Sequence, residues 1–231
     1  MKLETIMEFL IINQPRVFPW KRLQQAIKRA IDLVLCISSL PITLPIMAVC
    51  AIAIHINNPH GPVFFVQERL GKGGRPFHIY KFRTMLVNKD DAQCRSYMRA
   101  YVRGEIGDDG VENRVYKPVE ALQIFRAGRF LRKTSLDELP QIINILKGEM
   151  SIVGPRPNVP WEVDAYRPWH HERMEVLPGI TGLAQVKGRS SISFNSLVRY
   201  DIEYVENQSL LLDLKILWWT AKTMLRGKGV M

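Results

Sequence analysis

Ile31 to Ile56 reads IDLVLCISSLPITLPIMAVCAIAIHI, and the reading of this stretch decides the fold. It is apolar apart from Asp32, a few hydroxyls and His55. As one straight helix it would run roughly 39 Å at 1.5 Å per residue, enough to cross a bilayer core of about 30 Å. Pro41 and Pro45 fall at its centre, where each removes a backbone donor and pushes the helix to bend. Lys21, Arg22, Lys28 and Arg29 precede the segment, and Arg69, Lys72, Arg75, Lys81 and Arg83 follow it. Positive charge stays on the cytoplasmic side of a membrane, so both flanks belong on the same side. A helix-break-helix that dips into one leaflet and returns satisfies both flanks; a single crossing satisfies one. A buried helix hairpin in a soluble core and an ordinary spanning helix remain as alternatives. A cleavable signal peptide fits poorly, because a long stretch precedes the segment and no small-residue cleavage site follows it.

Working outward, residues 1 to 20 mix apolar and polar side chains around Pro15 and Pro19 and receive no function. Lys21 to Ala30 is a basic amphipathic lead suited to a lipid interface. The expected organisation is therefore an N-terminal extension over 1–20, a membrane hairpin over 21–57 and a catalytic domain over 58–231. After the turn cluster Asn57-Asn58-Pro59-His60-Gly61-Pro62, the runs Val63–Val66 and Phe77–Phe82 read as short strands joined through Gly71-Lys72-Gly73-Gly74. Those glycines lack the G-x-x-x-x-G-K-[ST] phosphate-loop pattern, so a hairpin turn is the reading. Residues 88 to 120 are polar, and their aspartate pairs at 90–91 and 108–109 read as solvated loop charge. A helical pattern resumes near Ala121, with Leu122, Ile124, Phe125, Phe130 and Leu131 as its buried positions. His170 and His171 point in different directions on any regular element, which argues against a shared metal. Near the C-terminus, Leu210 to Trp219 forms an amphipathic helix too interrupted by charge to span. Tandem tryptophans suit it to a membrane interface, and a plain core-packing helix is equally open.

The chain has 231 residues, a net charge of +10 and three cysteines without C-x-x-C spacing. That length can bury a real core, and the odd cysteine count fits a cytosol-facing protein without structural disulfides. The charge favours an anionic partner: nucleic acid, lipid head groups or a nucleotide-linked substrate. The apolar segment and the lack of a recognised nucleic-acid motif count against nucleic acid.

Chemistry concentrates in RKTSLDELPQIINILKGEMSIVGPRP, Arg132 to Pro157, where Asp137 and Glu138 stand beside Arg132 and Lys133. Ser135-x-x-Glu138 matches a capping box, which would make Glu138 structural. Pro140 opposes that reading, because it would leave a first-turn hydrogen bond unmade. In the alternative reading the helix begins later and the two carboxylates divide labour. Neighbouring helical residues diverge by about 100°, so they do not share a proton as a dyad. One would bind Mg²⁺ while the other attacks a phosphorus, giving an acyl phosphate, with Arg132 and Arg156 neutralising a diphosphate.

Five blocks occur in order: KRAIDLVL leading into the proline-broken segment, IYKFRTM (79–85), FLRKTSLDELPQ (130–141), LKGEMSIVGPRP (146–157) and PGITGLAQVKGR (178–189). In these blocks the chain closely resembles the bacterial sugar transferases, also called monotopic polyprenyl-phosphate phosphoglycosyl transferases. The resemblance implies an α/β, mainly helical, cytosolic catalytic domain with an N-terminal re-entrant membrane helix hairpin and interfacial amphipathic helices. It implies transfer of a sugar 1-phosphate from a UDP-sugar to undecaprenyl phosphate, releasing UMP, at the cytoplasmic membrane. Carried over by position, Asp137 resembles the nucleophile and Glu138 the Mg²⁺ ligand. Lys81, Arg83, Arg132, Arg156 and Arg189 resemble phosphate and nucleotide contacts, and Pro41 and Pro45 mark the hairpin break. Membrane lipids and a second copy of the chain are further expected partners. The chain departs from some small family members in having Leu44-Pro45 where they have Ser-Pro, and in a longer 88–120 insertion.

Overall fold

The computed structural model describes residues 19–86, 92–105, 124–188 and 192–225. Both aspartate pairs, Leu122 and Arg189 lie outside the described residues. The first helix, α1, covers Pro19–Asn57. Pro19 opens it at no cost, since a first-turn N–H has no intrahelical partner. Pro41 and Pro45 sit inside this uninterrupted helix, where sequence pattern predicts a break between two helices. Hydroxyls around them bond back to the preceding turn: Ser39 Oγ donates to the Cys36 carbonyl at 2.8 Å and Thr43 Oγ1 to the Ser39 carbonyl at 3.1 Å. Such back-bonding lets a helix bend without ending.

One face of α1 packs on the rest of the molecule. Lys28, Asp32, Cys36, Cys50 and Ile54 are buried along it. Between Cys36 and Cys50 no residue is buried, and Val34, Ile42, Val49 and Ile56 are exposed. A core helix of a soluble protein would bury its aliphatics, yet only 11% of the most apolar stretch of α1 is buried. The N-terminal arm is held by polar contacts. Lys28 Nζ donates to Asp213 at 2.7 Å, Arg29 donates to the Ile145 carbonyl at 2.6 Å, and Asp32 accepts from Ser151 Oγ at 2.7 Å. Cys36 then joins Phe77, Ile79, Ile142, Ile145 and Met150 in one core cluster, while Cys50 and Ile54 join Phe82 and Leu131 in another.

Strands β1 (Phe64–Leu70) and β2 (Pro76–Phe82) form the expected antiparallel hairpin, with Phe65 opposite Lys81 and Arg69 opposite Phe77. Gly73 and Gly74 in the connecting turn have φ of 66° and 72°, left-handed values that glycine adopts without strain. Helix α2 covers Ala92–Arg103 and α3 covers Arg126–Thr134. The buried residues of α3 are Gly128 and Leu131, so Phe130, one residue and about 100° away, is 61% exposed where a buried position was predicted. A 3₁₀ segment, Leu136–Gln141, leads into α4 (Ile142–Lys147), which Gly148 ends with φ of 84°.

Beyond it lie β3 (Ser151–Val153), the short α5 (Pro160–Val163), a 3₁₀ segment over Pro168–Met174 and β4 (Gly179–Thr181), which pairs parallel with β3. Helices α6 (Leu183–Lys187), α7 (Phe194–Glu206) and α8 (Leu210–Leu225) complete a mainly helical fold with two small sheets. Ser193 caps α7 by accepting from the Ser196 N–H at 3.3 Å. Helix α8 serves two surfaces: Ile216 joins the core of Val153, Val176, Leu183 and Tyr204, while Leu211, Leu214 and Trp218 stay exposed.

Candidate active site

The 3₁₀ segment sets the carboxylate geometry. With three residues per turn, Leu136 and Leu139 eclipse one another, and both pack against the core cluster of Cys50, Ile54, Phe82 and Leu131. Asp137 and Glu138 project from the intervening positions. The capping box does not form: Ser135 adopts a left-handed conformation with φ of 56°, and its side chain makes no cap bond. Regular helix begins only at Ile142, beyond Pro140. Both carboxylates are therefore free of helix capping.

Their environments differ. Glu138 Oε1 accepts from Lys81 Nζ at 2.7 Å, and Arg156 lies 3.8 Å away. Burial pushes the Glu138 carboxyl up, but Lys81 and Arg156 outweigh it and hold the group below the usual carboxylate range. The neighbouring Gln141 side chain also favours the carboxylate. Asp137 makes no salt bridge among the described residues. Burial, and then the adjacent Glu138 charge, push its carboxyl up, with Lys81 and Arg132 only partly offsetting them. Two neighbouring carboxyls pushed in opposite directions are the arrangement expected when two acids have separate tasks.

The cations reach the pair from three elements. Lys81 lies near the end of β2, and burial lowers the pKa of its amine. Arg132 comes from α3, its Nε donating to Thr84 Oγ1 at 2.9 Å. That helix can lie on the Thr84 backbone because residue 128 is glycine: a Cβ there would sit 2.3 Å from the Thr84 carbonyl oxygen. Arg156 comes from the Gly-Pro-Arg-Pro turn and is held by its backbone, since Arg173 donates to its carbonyl at 3.3 Å. Arg173 is itself buried against Asp201 and Tyr166.

Arg83, also expected at the site, is turned elsewhere. Its guanidinium donates to the Asn58 carbonyl at 2.5 Å and more weakly to the His60 carbonyl at 3.4 Å, tying β2 to the end of α1. His170 is buried, its ring meeting the Arg167 N–H and the Asn195 side chain, which fits a structural role. Among the described residues no group of three or more His, Cys, Asp or Glu could enclose a metal. Asp137 and Glu138 offer the hard oxygens that Mg²⁺ accepts when its other ligands are waters and substrate phosphates, so the donor set fits that ion. Thr84 and Gln141 lie within the blocks that carry the resemblance but received no role there, and Gly128 belongs to no motif; its contact with the Thr84 backbone exists only in the folded chain.

The carboxylate pair thus lies among Lys81, Arg132 and Arg156, beside a long apolar helix that is mostly exposed. The chain belongs to the bacterial sugar transferase family, which matches residues 23–227. It is 38% identical over 210 residues to the undecaprenyl-phosphate galactose phosphotransferase of Salmonella typhimurium, covering 90% of this chain and 42% of that protein. It is 38% identical over 204 residues to the uncharacterized sugar transferase EpsL of Bacillus subtilis, covering 88% of this chain and 90% of that protein. It is 37% identical over 206 residues to the UDP-glucose:undecaprenyl-phosphate glucose-1-phosphate transferase of Caulobacter vibrioides, covering 86% of this chain and 69% of that protein. The chain thus spans less than half of the Salmonella relative and most of the Bacillus one.

Proposed function

We propose that the protein transfers a sugar 1-phosphate from a UDP-sugar to undecaprenyl phosphate, releasing UMP and initiating surface glycan assembly, with Asp137 as nucleophile. The unequal carboxylate pair carries this reading. Glu138 is ion-paired with Lys81, while Asp137 makes no salt bridge among the described residues and lies close enough to Lys81 and Arg132 to feel their charge. Asp137 Oδ attacks the sugar-bearing phosphorus. The bond from that phosphorus to the bridging oxygen breaks, and the electron pair leaves with UMP. The product on the enzyme is an aspartyl phosphosugar. An oxygen of undecaprenyl phosphate then attacks the same phosphorus, and the Asp137 carboxylate departs, free again. Arg132, Lys81 and Arg156 offset the charge that builds on the phosphoryl oxygens. Mg²⁺ held by Glu138 would supply further charge neutralisation and polarise the phosphorus.

Helix α1 supports a membrane location and entry into one leaflet. Both arms bury residues against the domain, while the proline-containing middle buries none. Basic residues at both ends favour the cytoplasmic side. A lipid phosphate can then meet a soluble sugar nucleotide where α1 passes the pair. Membranes containing the protein, supplied with Mg²⁺, undecaprenyl phosphate and a panel of UDP-sugars, should release UMP. Asp137→Asn should reduce that release by more than about a thousandfold. Full activity in the Asn variant, or no UMP from any sugar nucleotide, would overturn the reading.

A further inference from the structure

Arg69 attracts attention only in the folded molecule. On β1 it shares a face with Gln67 and Phe65, and Phe65 pairs with Lys81, so one face of the ribbon carries both cations toward Glu138. Its position is fixed on two sides: NH1 donates to the Pro157 carbonyl at 3.1 Å and NH2 to Gln67 Oε1 at 2.6 Å. The end of β1 is also stapled to the same turn, since the Leu70 N–H donates to the Asn158 carbonyl at 2.9 Å. Arg69 thus stands beside Arg156 with its guanidinium already ordered.

Its charge is incompletely balanced. Among the described residues Arg69 forms no ion pair with a carboxylate, and its buried Nε has no hydrogen-bond partner. Glu138 and Glu162 attract it from farther away, while Arg156 repels it; burial and that repulsion lower its pKa to about 10, so it remains a cation at neutral pH. Glu162 is engaged by Asn158 Nδ2 at 2.8 Å. Lys81, Arg69, Arg132 and Arg156 set against Asp137 and Glu138 leave an excess of positive charge. A half-buried guanidinium with an unsatisfied donor and a cationic neighbour is stabilised when an anion enters between the two cations.

We propose that Arg69 is a further phosphate-binding residue, forming with Arg156 the subsite that receives the phosphate of the departing nucleotide. This rests on the transfer reading for its substrate. The subsite itself is a claim about anion binding and can be tested apart from turnover. Purified full-length protein in detergent would be titrated with UMP, inorganic pyrophosphate and uridine, comparing wild type with Arg69→Gln, Arg69→Lys and the exposed-site control Arg129→Gln. Arg69→Gln should bind UMP and pyrophosphate at least about tenfold more weakly, with Arg69→Lys intermediate and Arg129→Gln unchanged. In turnover, Arg69→Gln should raise KM for the UDP-sugar and leave KM for undecaprenyl phosphate unchanged.

Unchanged UMP and pyrophosphate affinity in a folded Arg69→Gln protein would overturn the proposal. A rise confined to KM for undecaprenyl phosphate would also overturn it, by assigning the subsite to the lipid phosphate. Weakened phosphate binding without UMP release from any UDP-sugar would uphold the subsite and reject the transfer reading. If Arg69→Gln fails to fold, Arg69→Lys decides, because it keeps the charge and loses the forked donor. Wild-type affinity for both phosphates in that variant would overturn the guanidinium's role.

Discussion

Asp137 and Glu138 are adjacent in sequence but opposite in electrostatic state, and the contrast has consequences for pH. The folded state raises the Asp137 pKa through burial and the neighbouring Glu138 charge. Such a group stabilises the fold when protonated, and that stability is lost as pH rises through its folded pKa. At neutral pH, Asp137→Asn should therefore melt above wild type even though the proposed mechanism makes it inactive, and the gap should close as the pH falls. Glu138 has the reverse sign. Its folded pKa is lowered, so it adds stability above the unfolded value and loses it as pH falls through the folded one. Glu138→Gln should melt below wild type at neutral pH, with the difference shrinking in acid. Thermal unfolding of both variants across pH checks the pair, and equal shifts of one sign would contradict the assignment. On the proposed mechanism Asp137 attacks as the carboxylate, so the acid limb of turnover should follow its ionisation.

At the scale of elements, the site depends on how closely α3 approaches the segment after β2. Gly128 permits that approach, and Arg132 reaches Thr84 only because of it. Gly128→Ala would force its Cβ against the Thr84 carbonyl, which backbone cannot relieve without α3 moving. The expected cost is about 1–3 kcal/mol of stability, with a fall in activity larger than that of an exposed change such as Arg126→Gln. Denaturant unfolding together with UMP release would test this, and wild-type values for Gly128→Ala would show that α3 does not depend on the contact. The same elements show which patterns can be read locally. The β1–β2 hairpin was legible from two short runs rich in apolar residues and a glycine turn, because both signals lie within a few residues. Phe130 was misjudged because Leu131 and Gly128 take the inward positions of α3, and only the partner surface decides which stripe of a helix faces in.

For the whole molecule, α1 raises the question of topology. Its N-terminal arm is fixed by Lys28, Arg29 and Asp32, and its C-terminal arm by Cys50 and Ile54, all to the same body of protein. Exposed cysteines placed by Leu23→Cys and Ile56→Cys, in a background lacking Cys36, Cys50 and Cys94, should label from one side of the membrane. Labelling from opposite sides would establish a single crossing and refute entry into one leaflet.

Sequence alone determined the long apolar segment, the glycine-turn hairpin and the presence of two carboxylates among cations, because composition and short-range periodicity record these. Tertiary structure decided which cations face the pair. Lys81 and Arg83 are two residues apart and would share a side on a continuing strand, but β2 ends at Phe82 and Arg83 turns to the end of α1. Folding also left Ser135 unable to cap, freed Glu138 for Lys81, and brought Arg69 beside Arg156. Those outcomes depend on burial and on contacts between residues far apart in the chain, where side-chain direction and local dielectric are set by packing.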